Sequence, residues 1–146
     1  ISIADQIYIK AKRIRNIQEK GSQRIEDNIK DEFRGILNYA VIGLIQISLS
    51  GNEDDALEED LQVDKAFVLY DNKIAGAKEL MQNKNHDYGE AWRGMSQESF
   101  ADLILAKILR IKQIIQNEGK TLISDGIDSN FYDILNYAAF ALILID

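Results

Sequence analysis

The sequence predicts an all-α fold: a helical bundle of about five helices, built from two repeated helical hairpins with pseudo-two-fold symmetry. Three observations carry that expectation. First, the 146 residues contain no proline. Helix interiors exclude proline, whereas an all-β chain of this size normally uses several in its turns. Second, apolar residues recur at helical spacing along several segments. Third, the chain repeats itself. "SIADQIYIKAKRIRNI" (2–17) matches "SFADLILAKILRIKQI" (99–114) at an offset of 97. "GSQRIEDNIKDEFRGILNYAVIGLI" (21–45) then matches "GKTLISDGIDSNFYDILNYAAFALI" (119–143) at an offset of 98, and 20 aligned positions are identical across the two blocks. Two copies are too few for a solenoid, so the unit reads as a duplicated hairpin within a single domain.

Each element follows from its pattern. The first helix covers about 3–20, with Ile3, Ile7, Ala11, Ile14 and Ile17 on one face. Its echo covers about 100–117, with Phe100, Ile104, Ile108, Ile111 and Ile115. Ser2 and Ser99 suit N-caps, with Asp5 and Asp102 three residues on, and Gly21 and Gly119 stand where these helices should stop. The second helix of each hairpin covers about 32–48 and about 129–145. Both are apolar on most sides toward their C-terminal ends, which places them at the centre of a bundle or in a subunit interface. Repeat one thus spans 2–48 and repeat two 86–146. Between them lie an acidic linker (49–61) and a connecting helix (63–84) with a stripe of Val63, Phe67, Tyr70, Ile74, Ala77 and Met81. If the duplication is complete, the first repeat's counterpart of that helix precedes Ile1.

Composition narrows the chemistry. There is no cysteine, which removes disulfides and thiolate metal sites and points to an intracellular, cytoplasmic setting. The single histidine, His86, cannot build a histidine metal cluster, so any metal site must be oxygen-rich and suited to Mg²⁺ or Mn²⁺. The net charge is −7, but "GNEDDALEED" (51–60) alone holds six acidic residues and no basic one. The acidity is therefore mostly one solvated linker. "KAKRIR" (10–15) is a basic cluster, yet the chain is acidic overall and carries no recognised nucleic-acid-binding signature. The longest uncharged apolar stretches, 36–50 and 134–145, fall short of the roughly 20 residues that span a bilayer. No secretory signal is visible, and no membrane role is expected.

The run "NKNHDYGEAWRGMSQESFADLILAKILRI" (83–111), followed by "DGIDSNFYDILNYA" (125–138), resembles a bacterial family called nucleotide-modification-associated domain 1. Two-repeat members of that family look like this chain throughout, apart from the acidic linker. The family is in turn similar to the all-α NTP pyrophosphohydrolases, the MazG-like group. That resemblance implies an oligomeric helical bundle in which carboxylates from two helices hold Mg²⁺ on nucleotide phosphates, and water releases pyrophosphate. The group's paired Glu-x-x-Glu and Glu-x-x-Asp motifs are not intact here. Asn130-x-x-Asp133 stands where Glu-x-x-Asp would be, and its counterpart is Glu32-x-x-Gly35, so each copy keeps half of the carboxylate pair.

The residues themselves admit two readings. Asn130, Asp133 and Tyr137 share a helical face that runs on through Phe140 and Leu144, so Asp133 sits at the rim of a core and needs a partner. Asn38 and Asn136 lie inside apolar runs and must be hydrogen-bonded; they either bridge the central helices or, for Asn136, reach a ligand. Asp5 and Asp102 are either capping residues or, for Asp102, an oxygen ligand near Asp133. Lys107 and Arg110, echoed by Lys10 and Arg13, either pair with Asp87, Glu90 or Asp133 or hold phosphate oxygens. In "HDYGEAWRG" (86–94), Asp87 and Glu90 can face one ion, Tyr88 and Trp92 can stack on a base, and Arg93 can reach a phosphate. Alternatively that segment is a connecting turn plugged by Trp92.

The catalytic candidates are therefore Asp133 and Glu90, and the metal-ligand candidates Asp87, Asp102 and Asp133. Lys107, Arg110, Tyr88, Trp92, Arg93 and Asn136 are the substrate-binding candidates. The first functional expectation is an Mg²⁺-dependent nucleotide pyrophosphohydrolase, or a nucleotide-binding relative of one, acting as a homo-oligomer with its better site in the second repeat. The alternative is a non-enzymatic helical interaction module whose polar residues pair internally.

Overall fold

The computed structural model describes residues 2–20, 26–50, 63–88, 91–118 and 126–145, with the side chains of 26–28, 50, 63, 84–88, 97, 117 and 118 left aside. The described residues form five α-helices and one 3₁₀ turn, with no strand among them. They are α1 (Ile3–Lys20), α2 (Glu26–Ser50), α3 (Val63–Tyr88), the 3₁₀ turn Ala91–Gly94, α4 (Gln97–Glu118) and α5 (Ile127–Ile145). The acidic linker 51–60, Gly21 and Gly119 lie outside the described residues.

Four of these helices close a ring. α1 packs on α2 and α4, and α5 packs on α2 and α4. The duplication is visible in this ring, because equivalent positions are buried alike. Ile7, Ile14, Phe33, Ile36 and Ala40 of the first repeat are fully inaccessible, as are Ile104, Ile111, Ile134 and Ala138 of the second, with Phe131 nearly so. α2 and α5 form the most extensive contact. They run antiparallel: the Phe131 ring, near the start of α5, lies against Gly43, near the end of α2, where a methyl group would come within 3.0 Å of it. These are the two helices whose apolar residues wrap most of the circumference, and the pairing removes that surface from water.

Helix boundaries differ from the sequence expectation by up to two turns. α2 begins at Glu26 and not near 32, since no glycine or proline interrupts the residues before Phe33. α4 begins at Gln97, one turn early, because Ser96 and not Ser99 is its cap: the Ser99 N–H donates to Ser96 Oγ at 3.2 Å. Ser2 caps α1 as expected, accepting from the Asp5 N–H at 3.1 Å. α5 starts after Gly126, whose φ of 99° is the left-handed conformation glycine adopts without strain. The Gly126 carbonyl accepts from the Asn130 N–H at 3.1 Å and from Ser129 Oγ at 3.0 Å.

α3 lies across the seam between α2 and α5. Ala77 is its one fully buried described residue, and the N-terminal end of its stripe projects past the bundle, leaving Phe67 65% exposed. No described helix is long and apolar enough to cross a membrane.

Candidate functional site

The second repeat sets a carboxylate against an amine at the α4–α5 seam. Lys107 Nζ lies 3.1 Å from Asp133 Oδ2, with the lysine side chain 33% exposed and the aspartate 15%. The pair forms because α4 and α5 are neighbours and each carries its charge at the edge of an apolar face. Asn130, one turn before Asp133, turns its amide back to the Gly126 carbonyl of its own helix start and so takes no part in a carboxylate pair.

The first repeat builds the equivalent seam with its carboxylate one helical turn earlier. Lys10, equivalent to Lys107, lies 3.3 Å from Glu32, which stands where the second repeat has Asn130. Glu32 also reaches Arg13 at 3.4 Å. Gly35, the counterpart of Asp133, leaves the space the lysine uses: a Cβ there would fall 2.8 Å from Lys10 Cε. Each copy therefore keeps one carboxylate for its lysine, at positions one helical turn apart. This explains why the shared phrase "ILNYA" is preceded by glycine in one copy and aspartate in the other.

Asp102 and Asp133 are not brought together. They lie on different seams, and Asp102 and Lys107 are about 140° apart around α4 at 100° per residue. Asp102 instead receives Arg15 Nε from α1 at 2.9 Å, with Arg15 also 3.7 Å from Glu98 and 3.8 Å from Glu19. Asp5 pairs with Lys112 of α4 in the same way. The two contacts are reciprocal, since Asp5 is equivalent to Asp102 and Arg15 to Lys112. Such exchange of i–j for j–i is what a two-fold relation between α1 and α4 requires. The hydrogen bond from Lys112 lowers the Asp5 pKa below its ordinary value, helped by one from Ser2.

Asn38 and Asn136 face α3 and not each other. Tyr70 donates its hydroxyl to Asn38 Oδ1 at 2.8 Å, and Asn136 donates its amide to the Ala77 carbonyl at 3.2 Å. A single helix laid over a two-fold seam cannot meet both copies identically, so one asparagine accepts and the other donates. Beside it, an open groove of about 360 Å³ between α3 and the start of α5 is lined by Gly76, Glu79, Asp128 and Tyr132, among others. Burial raises the Tyr132 pKa, and the Asp128 charge adds to it.

Trp92 is a plug. It stacks on Phe140 with centroids 4.3 Å apart and planes 11° apart, while the Arg93 guanidinium lies 4.6 Å from its ring centroid. Phe100 completes the cluster, 5.9 Å from Phe140 and 6.2 Å from Tyr137. Arg110 is exposed and donates to the Gln113 amide oxygen at 3.5 Å. The side chains of Asp87 and Tyr88, like those of His86 and Glu90, lie outside the described residues. Among the described residues no group of three His, Cys, Asp or Glu side chains gathers as a metal site would require.

Against known families, one model matches residues 1–47 and 84–145, leaving out the last residues of α2, the linker, most of α3 and the final residue. The chain belongs to the nucleotide modification associated domain 1 family. No curated protein and no solved structure matches it. For this family member, the matched blocks are the two hairpins together with the connection that carries Trp92. The reciprocal Asp5–Lys112 and Asp102–Arg15 pairs were missed by sequence reasoning. A signal was available: both charges recur in both copies at the same ten-residue spacing.

Proposed function

We propose that this chain is a nucleotide-binding domain related to the all-α NTP pyrophosphohydrolases, with its ligand-binding half in the second repeat. The observation that carries the reading is the asymmetry between the two seams. In the first, Glu32 is shared by Lys10 and Arg13, and Lys10 fills the space beside Gly35. In the second, Lys107 pairs with Asp133, while Arg110, the counterpart of Arg13, is exposed and reaches the Gln113 amide oxygen. Lys107 and Arg110 would take phosphate oxygens, releasing Asp133 from its ion pair. Mg²⁺ commonly binds through one or two carboxylates plus substrate phosphates, so Asp133 with Asp87 or Glu90 suffices for the donor set. When bound, the ion would neutralise the polyphosphate and supply activated water for pyrophosphate release. A cytoplasmic, homo-oligomeric state belongs to the same proposal.

The test is a panel of NTPs and dNTPs with Mg²⁺, reading pyrophosphate release and, in parallel, binding by calorimetry. Asp133→Ala should abolish turnover while the helical circular dichroism spectrum persists; undiminished turnover would remove Asp133 from the site.

A second reading, a non-enzymatic helical interaction module, has its own support. Lys10, Arg13, Arg15, Lys107 and Lys112 all pair with protein carboxylates, and Phe67 and Val68 lie exposed side by side on α3. It predicts no heat with any nucleotide in the panel.

A further inference from the structure

The duplication relates the two ends of the four-helix ring, and the ends are not filled alike. At one end α1 and α5 begin while α2 and α4 finish, so Ser2, Gly43, Ile111 and Phe131 meet there. At the other, α2 and α4 begin while α1 and α5 finish. Two equivalent positions differ in size. Phe100, fully buried, is the counterpart of Ile3, which is only half-buried, and Ala141 is the counterpart of Gly43. The end where α1 begins therefore has fewer side-chain atoms to close it, and a cavity of about 190 Å³ lies there. Ile3, Gly43, Ile111 and Phe131 are among its walls. Ser2 and Gln46 also line it, and both are exposed, so the cavity opens to solvent between them.

The lining sets the chemistry of an occupant. Most of it is aliphatic or aromatic, and no lining side chain is charged. A charged ligand would leave water here without a counter-ion. Water is poorly held against apolar walls, and an apolar group gains by displacing it. Volume sets the size. An apolar cavity of about 150 Å³ holds one benzene ring, whereas pockets for drug-sized molecules start at about 300 Å³. The opposite end shows which shape fits: the position of Ile3 there carries the phenyl ring of Phe100, packed against Phe140 and Tyr137. The cavity is too small for a nucleotide. It also lies off the Lys107–Asp133 seam, since Phe131 and Asp133 are about 160° apart around α5 at 100° per residue.

We propose that this cavity is a binding site for a small uncharged aromatic ligand, of benzene to indole size, inserted between Ser2 and Gln46 and packed on Ile111 and Phe131. The site does not depend on the nucleotide-binding reading. It follows from the loss of side-chain volume at Ile3 and Gly43 relative to the second repeat.

The test is a titration of the protein, carrying ¹³C-labelled isoleucine methyl groups, with indole. The methyl signals of Ile3, Ile111 and Ile115 should shift saturably, with a Kd of about 1 mM, the scale for a ligand this small. The methyl of Ile14, the counterpart of Ile111 at the opposite end, should stay in place. Benzoate, a charged ring of similar size, should bind at least about tenfold more weakly. Ile3→Phe installs the residue of the opposite end and should abolish the indole shifts. Absence of saturable shifts, equal movement of Ile14 and Ile111, or benzoate binding as tight as indole would each overturn the proposal. So would unchanged indole binding by Ile3→Phe. Should that variant fail to fold, the wild-type methyl pattern decides.

Discussion

Lys107→Met is the sharpest probe of how the second repeat holds its charge. The substitution keeps the aliphatic stem on the α4–α5 seam and deletes the ammonium 3.1 Å from Asp133. Removing one partner of a fully buried pair costs about 3–5 kcal/mol. A fully exposed pair contributes about 0.2–1 kcal/mol. The pair lies between these limits, with Asp133 15% and Lys107 33% exposed. We therefore expect a loss of about 2 kcal/mol, weighted toward the cost of leaving a half-buried carboxylate without its cation. With a urea m-value of about 2 kcal/mol/M, that lowers the unfolding midpoint by about 1 M at pH 7. Lys107→Met/Asp133→Asn leaves no charge behind and should recover most of the loss. Lys10→Met is the first-repeat counterpart: Glu32 keeps Arg13 at 3.4 Å, so its loss should stay below the cost of stripping a fully buried pair. A Lys107→Met midpoint within about 0.2 M of wild type would show that the pair is a solvated surface contact. A double variant no better than the single would refute the argument that the Asp133 charge depends on its lysine.

Two further outcomes follow from the same geometry. The Asp5 carboxyl is held below its ordinary value of 3.8 by Lys112 and Ser2, so its stabilisation is complete above that value and fades as pH falls through the lowered one. The stability gap between wild type and Asp5→Asn, read from thermal melts, should therefore be constant from pH 7 to about 5 and narrow as the pH drops below 3.8; Lys112→Met should weaken that dependence, leaving the part due to Ser2. Tyr70→Phe and Asn136→Ala each remove a side-chain hydrogen bond that ties α3 to the bundle, at about 1 kcal/mol apiece. Hydrogen exchange should then accelerate along α3 while α2 and α5 stay protected; unchanged α3 protection would show that apolar packing alone holds it.

The hairpins were legible because the signal for them is local. Apolar spacing along 3–17 and 100–115 marks the buried faces of α1 and α4 whatever those helices pack against. Ser2 was readable as a cap, since capping involves only the adjacent turn. Ser96 was not, because the echo pointed to Ser99 and the extra turn belongs to the second copy alone. The site was legible in part. Lys107 and Asp133 were both singled out, with Asp133 among the partners weighed for the lysine. The seams that separate Asp102 from Asp133 were not readable, since a helical wheel gives the direction of a side chain but not which helix lies in that direction. For Asn38 and Asn136, burial and the need for partners were visible, but α3 as the partner was not.

By itself the sequence determined that this protein is helical, duplicated and asymmetric in its charges, because periodicity, self-similarity and the exchange of Asp133 for Gly35 are properties of order along the chain. The tertiary structure alone decided which charges meet. Once α2 and α5 pair at the centre, α1 and α4 become antiparallel neighbours, and Asp5 and Asp102 close onto Lys112 and Arg15 across the two-fold. The physical reason is that a charge takes whatever partner lies within a few ångströms, and only helix packing sets that distance.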